Sequence, residues 1–132
     1  DVLPVCRELG IGITAYGVLS RGLLTGSKGS GEGDVRNIFY PRFQGENLTR
    51  NERLAAALAN VARREGMTAA QAAIAWVASR GSDIIPLIGA RTVERLAEAL
   101  ASPLHLSPEA LSSIEKAVPE DAVGGERFMV AH

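Results

Sequence analysis

Apolar residues recur along this chain at two spacings, and the switches between them mark out its elements. Val2, Leu3, Val5, Cys6 and Leu9 form a helical stripe, and Gly10 supplies the left-handed residue that stops it. Residues 11–16 then read as a strand. A glycine-rich stretch over residues 26–34 reads as a surface loop, or as a lid, since long irregular loops in compact domains are often lids. Thr49-Arg50-Asn51-Glu52 has the form of a capping box, with Thr49 as N-cap. It predicts a helix with Leu54, Leu58 and Val61 on one side, ended by Gly66. Thr68-Ala69-Ala70-Gln71 is a second capping box; its helix carries Ile74, Trp76 and Val77 and ends at Gly81. The apolar run over residues 84–88 fits a parallel strand covered on both faces. Pro86 within it demands a short strand at a position whose missing N–H costs no bond. A helix follows from Thr92 to about Leu100. Ser107 as N-cap and Pro108 behind it open the last helix, with Leu111, Ile114 and Val118 inward.

Strands alternating with helices predict an α/β fold with parallel strands. No linker or internal repeat divides residues 1–132, so one domain is expected, with an irregular polar tail over residues 119–132. The composition, 46% hydrophobic with a net charge of −1, fits a soluble globular domain and excludes disordered and nucleic-acid-coating classes. No apolar run approaches a membrane span, and the start does not resemble a signal peptide. The single cysteine, Cys6, cannot form an internal disulfide and reads as a buried thiol in a reducing compartment, so a cytoplasmic location is expected.

Candidate chemistry collects after the two strands. A helix starting just beyond a strand points its free N–H groups and positive dipole end at whatever lies above the sheet. Arg91 and Arg95 are one helical turn apart, placed to meet one anion, although a plain strand–helix unit with a solvated basic face has the same pattern. Tyr16 ends the first strand, where its ring could stack on a flat ligand or simply belong to the core. Leu19, Ser20, Arg21 and Gly22 combine backbone N–H groups, a hydroxyl and a guanidinium suited to a pyrophosphate. Lys28 could add a charge. His105 and His132 read as incidental, and there is neither a metal-ligand spacing nor a Gly-x-Ser-x-Gly elbow.

Three stretches in register carry a resemblance. Tyr16-Gly17-Val18-Leu19-Ser20-Arg21-Gly22 is similar to an aromatic-Ser-Pro-Leu-x-x-Gly run, and Pro41-Arg42-Phe43-Gln44 to a loop found in one branch of the same family. The segment from Ile85-Pro86-Leu87-Ile88-Gly89-Ala90-Arg91 through Arg95 to Glu98-Ala99 is similar to a later Ile-Pro-x-x-Gly motif ending in Glu-Asn. The chain thus resembles the C-terminal part of the aldo-keto reductase family. The resemblance implies part of a (β/α)₈ TIM barrel, here two parallel strands with surrounding helices. A whole barrel takes roughly 250 residues, about twice this length, so a fragment is expected.

For function the resemblance implies an NADP(H)-dependent oxidoreductase that transfers hydride to a small-molecule aldehyde or ketone, with no nucleic-acid or membrane partner. Tyr16 would pack on the nicotinamide, and Leu19, Ser20, Arg21 and Gly22 would hold the pyrophosphate. Arg91 and Arg95 would hold the 2′-phosphate, Gly89 and Ala90 beside them would also contact the cofactor, and Glu98 would accept from the adenine amino group, unless it merely pairs with Arg95 at i,i+3. Two positions depart from the family: Gly17-Val18 stands for Ser-Pro, and Ala99 for the usual asparagine. The family's catalytic tyrosine and its lysine, aspartate and histidine partners belong to the first half of the barrel. No residue here takes those roles, and Tyr40 is not a substitute. A non-catalytic NADP(H)-binding module, similar to the family's ion-channel accessory subunits, and an inactive truncated piece are the alternatives. What is encoded upstream of Asp1 separates them. An uncovered sheet face would also favour self-association or a missing N-terminal half.

Overall fold

The structure, a computed structural model, describes residues 2–27 and 33–128. Helix α1 (Val2–Glu8) leads into strand β1 (Ile13–Ala15) and then a 3₁₀ segment, Ser20–Thr25. Helices α2 (Val35–Phe39), α3 (Gly45–Arg64) and α4 (Ala69–Ala78) precede strand β2 (Ile84–Pro86). Helices α5 (Val93–Leu100) and α6 (Pro108–Ala117) complete the chain, with short 3₁₀ turns at Pro41–Phe43 and Glu120–Ala122.

The two strands pair in parallel, Ile13 opposite Ile84, Thr14 opposite Ile85 and Ala15 opposite Pro86. Leu87 N–H donates to the Ala15 carbonyl and Ile13 N–H to that of Asp83, so the ladder runs slightly past each strand end. Because donors alternate sides along a strand, the bond from Leu87 puts the Pro86 nitrogen on the far edge, where its missing N–H breaks no rung. Both strands are shorter than the apolar runs that predict them. This chain covers one face of the sheet and leaves the other uncovered, as expected of a piece of a barrel. Ile13, Ala15, Ile84 and Pro86 are half-buried on the side toward α4, while Thr14, Tyr16, Ile85 and Leu87 are exposed on the other.

The core lies between helices. Leu58, Val61 and Ala62 of α3 meet Ala72 of α4 and Ile114 of α6, with Met67, Trp76, Leu106 and Val118 around them. Burying each large aliphatic contributes roughly 1.5–3 kcal/mol. Ala62, Ala72 and Ala75 are fully buried, and their small side chains let α3 and α4 approach closely. The predicted caps at Thr68 and Ser107 form: Thr68 Oγ1 accepts from Gln71 N–H while the Gln71 side chain accepts from Thr68 N–H, and Ser107 Oγ accepts from Ala110 N–H. Helix α1 buries none of its residues, and Cys6 is half-buried rather than buried. Arg7 ties this helix to the sheet, its Nε donating to Asp83 Oδ2 at 2.8 Å and its Nη2 to the Arg80 carbonyl at 2.6 Å.

One predicted cap is overturned. Thr49 lies inside α3, which starts at Gly45 with Gln44 as N-cap. The earlier start is fixed from outside the helix. Gln44 Nε2 donates to the carbonyls of Asn37 and Ile38, and Asn47 Nδ2 to that of Pro41, so the 3₁₀ turn runs straight into α3.

Candidate functional site

Because β1 and β2 are parallel, the turns after them open on the same end of the sheet. Between them lies a cleft of about 1100 Å³. A smaller apolar hollow of about 390 Å³, floored by Ala55, Ala56 and Ala59, adjoins it along Arg95 and Glu98. Of the residues expected to hold a ligand, all but Ala90 line the large cleft; Ala90 is an exposed neighbour of Gly89 and Arg91. Lys28 and His132 lie outside the described residues. His105 is exposed in the connection between α5 and α6.

The turn after β1 is wound against the usual backbone preference. Gly17 adopts φ 76°, Ser20 47°, Arg21 56° and Gly22 91°. Gly17 therefore makes a left-handed turn that serine would resist, and its carbonyl accepts from Ser20 N–H at 2.9 Å. Left-handed backbone at two successive non-glycine residues costs of order 1–3 kcal/mol each and persists only where neighbours impose it. Arg36 reaches this backbone from α2. Its Nη1 donates to the Arg21 carbonyl at 3.0 Å and to Ser27 Oγ at 3.1 Å. Its other edge grips Asp34, Nη2 to Oδ2 at 2.7 Å and Nε to Oδ1 at 3.0 Å. Asp34 in turn caps α2, accepting from Arg36 N–H at 2.9 Å. Those bonds from the guanidinium and the backbone N–H hold the Asp34 carboxyl down at about 2. A carboxyl depressed in this way contributes stability that is full above the usual carboxylate range, declines as pH falls below that range, and is gone once pH has fallen through about 2.

Arginine side chains crowd the mouth of the cleft. The Arg21 guanidinium lies 4.0 Å from the centre of the Tyr40 ring, which leans on Phe128. Arg127 lies 4.6 Å over the Tyr16 ring, and a Cβ on Gly17 would stand 2.6 Å from its Nη2. Among the described residues, Arg21, Arg91 and Arg127 form no ion pair with a carboxylate. Unpaired cations on the two turns, Arg21 and Arg91, suit an anionic ligand, while Arg127 covers the Tyr16 ring. The tail reaches this position because Asn51, buried in α3, clamps it. Asn51 Oδ1 accepts from Gly124 N–H at 2.8 Å, and Nδ2 donates to the carbonyls of Gly124 at 2.8 Å and Arg42 at 3.0 Å.

The turn after β2 is looser. Thr92 caps α5, its Oγ1 accepting from Arg95 N–H at 3.3 Å, and the backbone N–H of Glu94 itself, with the Thr92 hydroxyl, holds the Glu94 carboxyl below its ordinary value. Arg91 therefore precedes the helix instead of lying on it, and the two arginines meet the cleft from the cap and from the first turn. Arg95 Nη1 bonds Glu98 Oε2 at 3.1 Å, the i,i+3 pair that the spacing also allows. Gln71 Nε2 donates to the Glu98 carbonyl and ties α5 to α4.

Arg36, Asn51 and Arg127 have no role at the site in the sequence reading, Asn51 entering it only within the Thr49–Glu52 capping box. Asp34-Val35-Arg36 carried a usable signal, an N-cap aspartate after a glycine run, and α2 begins there. A mid-helix asparagine such as Asn51 is a weaker one. Nothing local marks Arg127.

No helix among the described residues is long and apolar enough to cross a membrane, and no cluster of three or more His, Cys, Asp or Glu could hold a metal. Over 136 aligned residues the chain is 38% identical to "Probable aldo-keto reductase 1" of Glycine max, covering 97% of this chain and 38% of that protein. The chain thus spans well under half the length of that curated relative. Residues 1–119 match the Aldo/keto reductase family, a family of TIM-barrel fold, and the chain belongs to it.

Proposed function

We propose that this chain is the C-terminal, cofactor-holding part of an NADP(H)-dependent aldo-keto reductase acting on aldehyde or ketone carbonyls. One observation carries the reading: two turns at the ends of parallel strands face one cleft, and among the described residues Arg21 and Arg91 on those turns have no carboxylate partner, while Arg95 pairs with Glu98. The residues present fit a dinucleotide. The cleft exceeds the usual volume of a small-molecule pocket, and the turns after both strands line it.

When bound, the dinucleotide supplies the hydride. This chain's residues bind and orient it. Ser20, Arg21 and Gly22, with Leu19 at the head of the turn, face the pyrophosphate. The Tyr16 ring offers a flat face to the nicotinamide once Arg127 moves aside. Arg91 and Arg95, with the backbone at Gly89 and Ala90, face the 2′-phosphate. Glu98 borders the smaller apolar hollow, which suits a purine base. Its exposed bond to Arg95 is cheap to rearrange.

Replacing Arg95 by alanine tests the reading. The loss of a charge-assisted hydrogen bond, roughly 1.5–3 kcal/mol, weakens NADPH about ten- to a hundredfold, with NADH little changed. Equal losses for both cofactors in a fluorescence titration exclude the role. The described residues also give neither tyrosine hydroxyl, Tyr16 or Tyr40, a hydrogen bond. General acid–base help is worth about 10²–10⁴-fold, so the chain made alone is expected to show no NADPH oxidation with an aromatic aldehyde above a buffer blank. Steady turnover would place the proton donor within this chain.

A further inference from the structure

We propose that Arg36 is a positioning residue for phosphate binding, locking the left-handed Ser20–Arg21 backbone so that the Arg21 side chain is presented to the cleft. The inference rests on the reading of that turn as a dinucleotide site, and goes beyond it by assigning a residue outside the turn.

Three features of the contacts support it. First, Arg36 spans two segments that would otherwise be independent: one edge of its guanidinium holds Asp34 and the other the Arg21 carbonyl and Ser27. Only a planar fork makes both sets of bonds at once; an ammonium reaches one at a time. Second, the guanidinium lies 5.6 Å from the centre of the buried Phe43 ring, and the Arg36 and Asp34 side chains are only 20% and 17% exposed, so the clamp is anchored against the core. Third, what it holds is strained. Ser20 and Arg21 are the only non-glycine residues with positive φ among the described residues, and the carbonyl it grips belongs to one of them. Gripping Arg21 by its carbonyl leaves that residue's guanidinium free to lie over Tyr40 at the mouth. Released from Arg36, the Ser20–Arg21 backbone is expected to relax toward ordinary φ, and the side chain would swing with it.

The test compares two probes in the intact protein: NADPH, which carries the pyrophosphate, and adenosine 2′-monophosphate, which carries only the 2′-phosphate end. Arg36→Gln is expected to weaken NADPH about tenfold, the scale on which outer partners of a ligand-holding group act. Adenosine 2′-monophosphate is expected to bind as before. Arg36→Lys should recover part of the loss, and it carries the test if the glutamine variant unfolds. Parallel losses for both probes would reduce Arg36 to general support of the fold and overturn the proposal. Arg21→Ala separates the two claims. If it weakens NADPH while Arg36→Gln and Arg36→Lys do not, the site stands and the clamp falls. If neither Arg21→Ala nor the Arg36 variants change NADPH binding, the turn is not a phosphate site and both fall.

Discussion

The turn after β1 is fastened by groups from elsewhere in the sequence, Arg36 from α2 and a tail held by Asn51 of α3, whereas the turn after β2 is fastened only by its own helix. Both turns stand at the same end of the sheet and face the same cleft. The first has its shape before any ligand arrives, at the cost of left-handed backbone at Ser20 and Arg21. The second exposes Gly89, Ala90, Arg91 and Thr92 and has a single cap. Preorganisation at one end and adaptability at the other divide the work of holding a long ligand: the rigid end sets its register, and the loose end closes on what remains.

The largest expected effect tests the long-range fastening. Asn51→Ala removes three hydrogen bonds and leaves the Gly124 N–H without its acceptor. A cost of about 2–4 kcal/mol in urea unfolding is expected, since each orphaned buried group costs roughly 1–3 kcal/mol. A change below ~0.5 kcal/mol would mean that the tail is not fastened and that the two turns are alike. Thr92→Ala addresses the other end. Losing a cap costs about 1 kcal/mol, and this one should speed amide exchange in α5 while leaving α3 unchanged. Exchange rising in both helices would show that the second turn is also braced from outside. The smallest effect concerns Arg127. A cation over an exposed ring is worth roughly 0.5–1 kcal/mol, so Arg127→Ala should tighten NADPH about two- to fivefold by uncovering Tyr16. Weaker binding would instead make Arg127 part of the ligand's own contacts.

Much of this comparison was invisible in the sequence, for reasons that differ by residue. Local chemistry was legible: the caps at Thr68 and Ser107, the left-handed stops at Gly10 and Gly66, and the inward faces of Leu58, Val61 and Ile114 depend on neighbours within a few positions, whereas α4 ends at Ala78, ahead of the stop read at Gly81. The Thr49–Glu52 pattern misled because the start of α3 is decided by Gln44 and Asn47 reaching back to the preceding segment. The residues that line the cleft could be named from the turns that bear them. Their supports could not. Asn51 and Gly124 are 73 positions apart, and a polar residue in a helix looks like any solvated one until its partner is in place. An uncovered sheet face was legible from the length of the chain, but an apolar run does not say which side of a strand this chain itself covers.

The Asn51 clamp also sets a time and length scale. Its amide pairs with both polar groups of Gly124, so the tail pivots there and not at its root on α6. Arg127, the residue that covers Tyr16, stands only two residues beyond Gly125, an arm of about 7 Å at full extension. So short a lever uncovers Tyr16 by side-chain swings and a local backbone shift, motions of nanoseconds to microseconds. Entry of a ligand to that face is then limited by encounter, and no slow opening step should appear in the association kinetics.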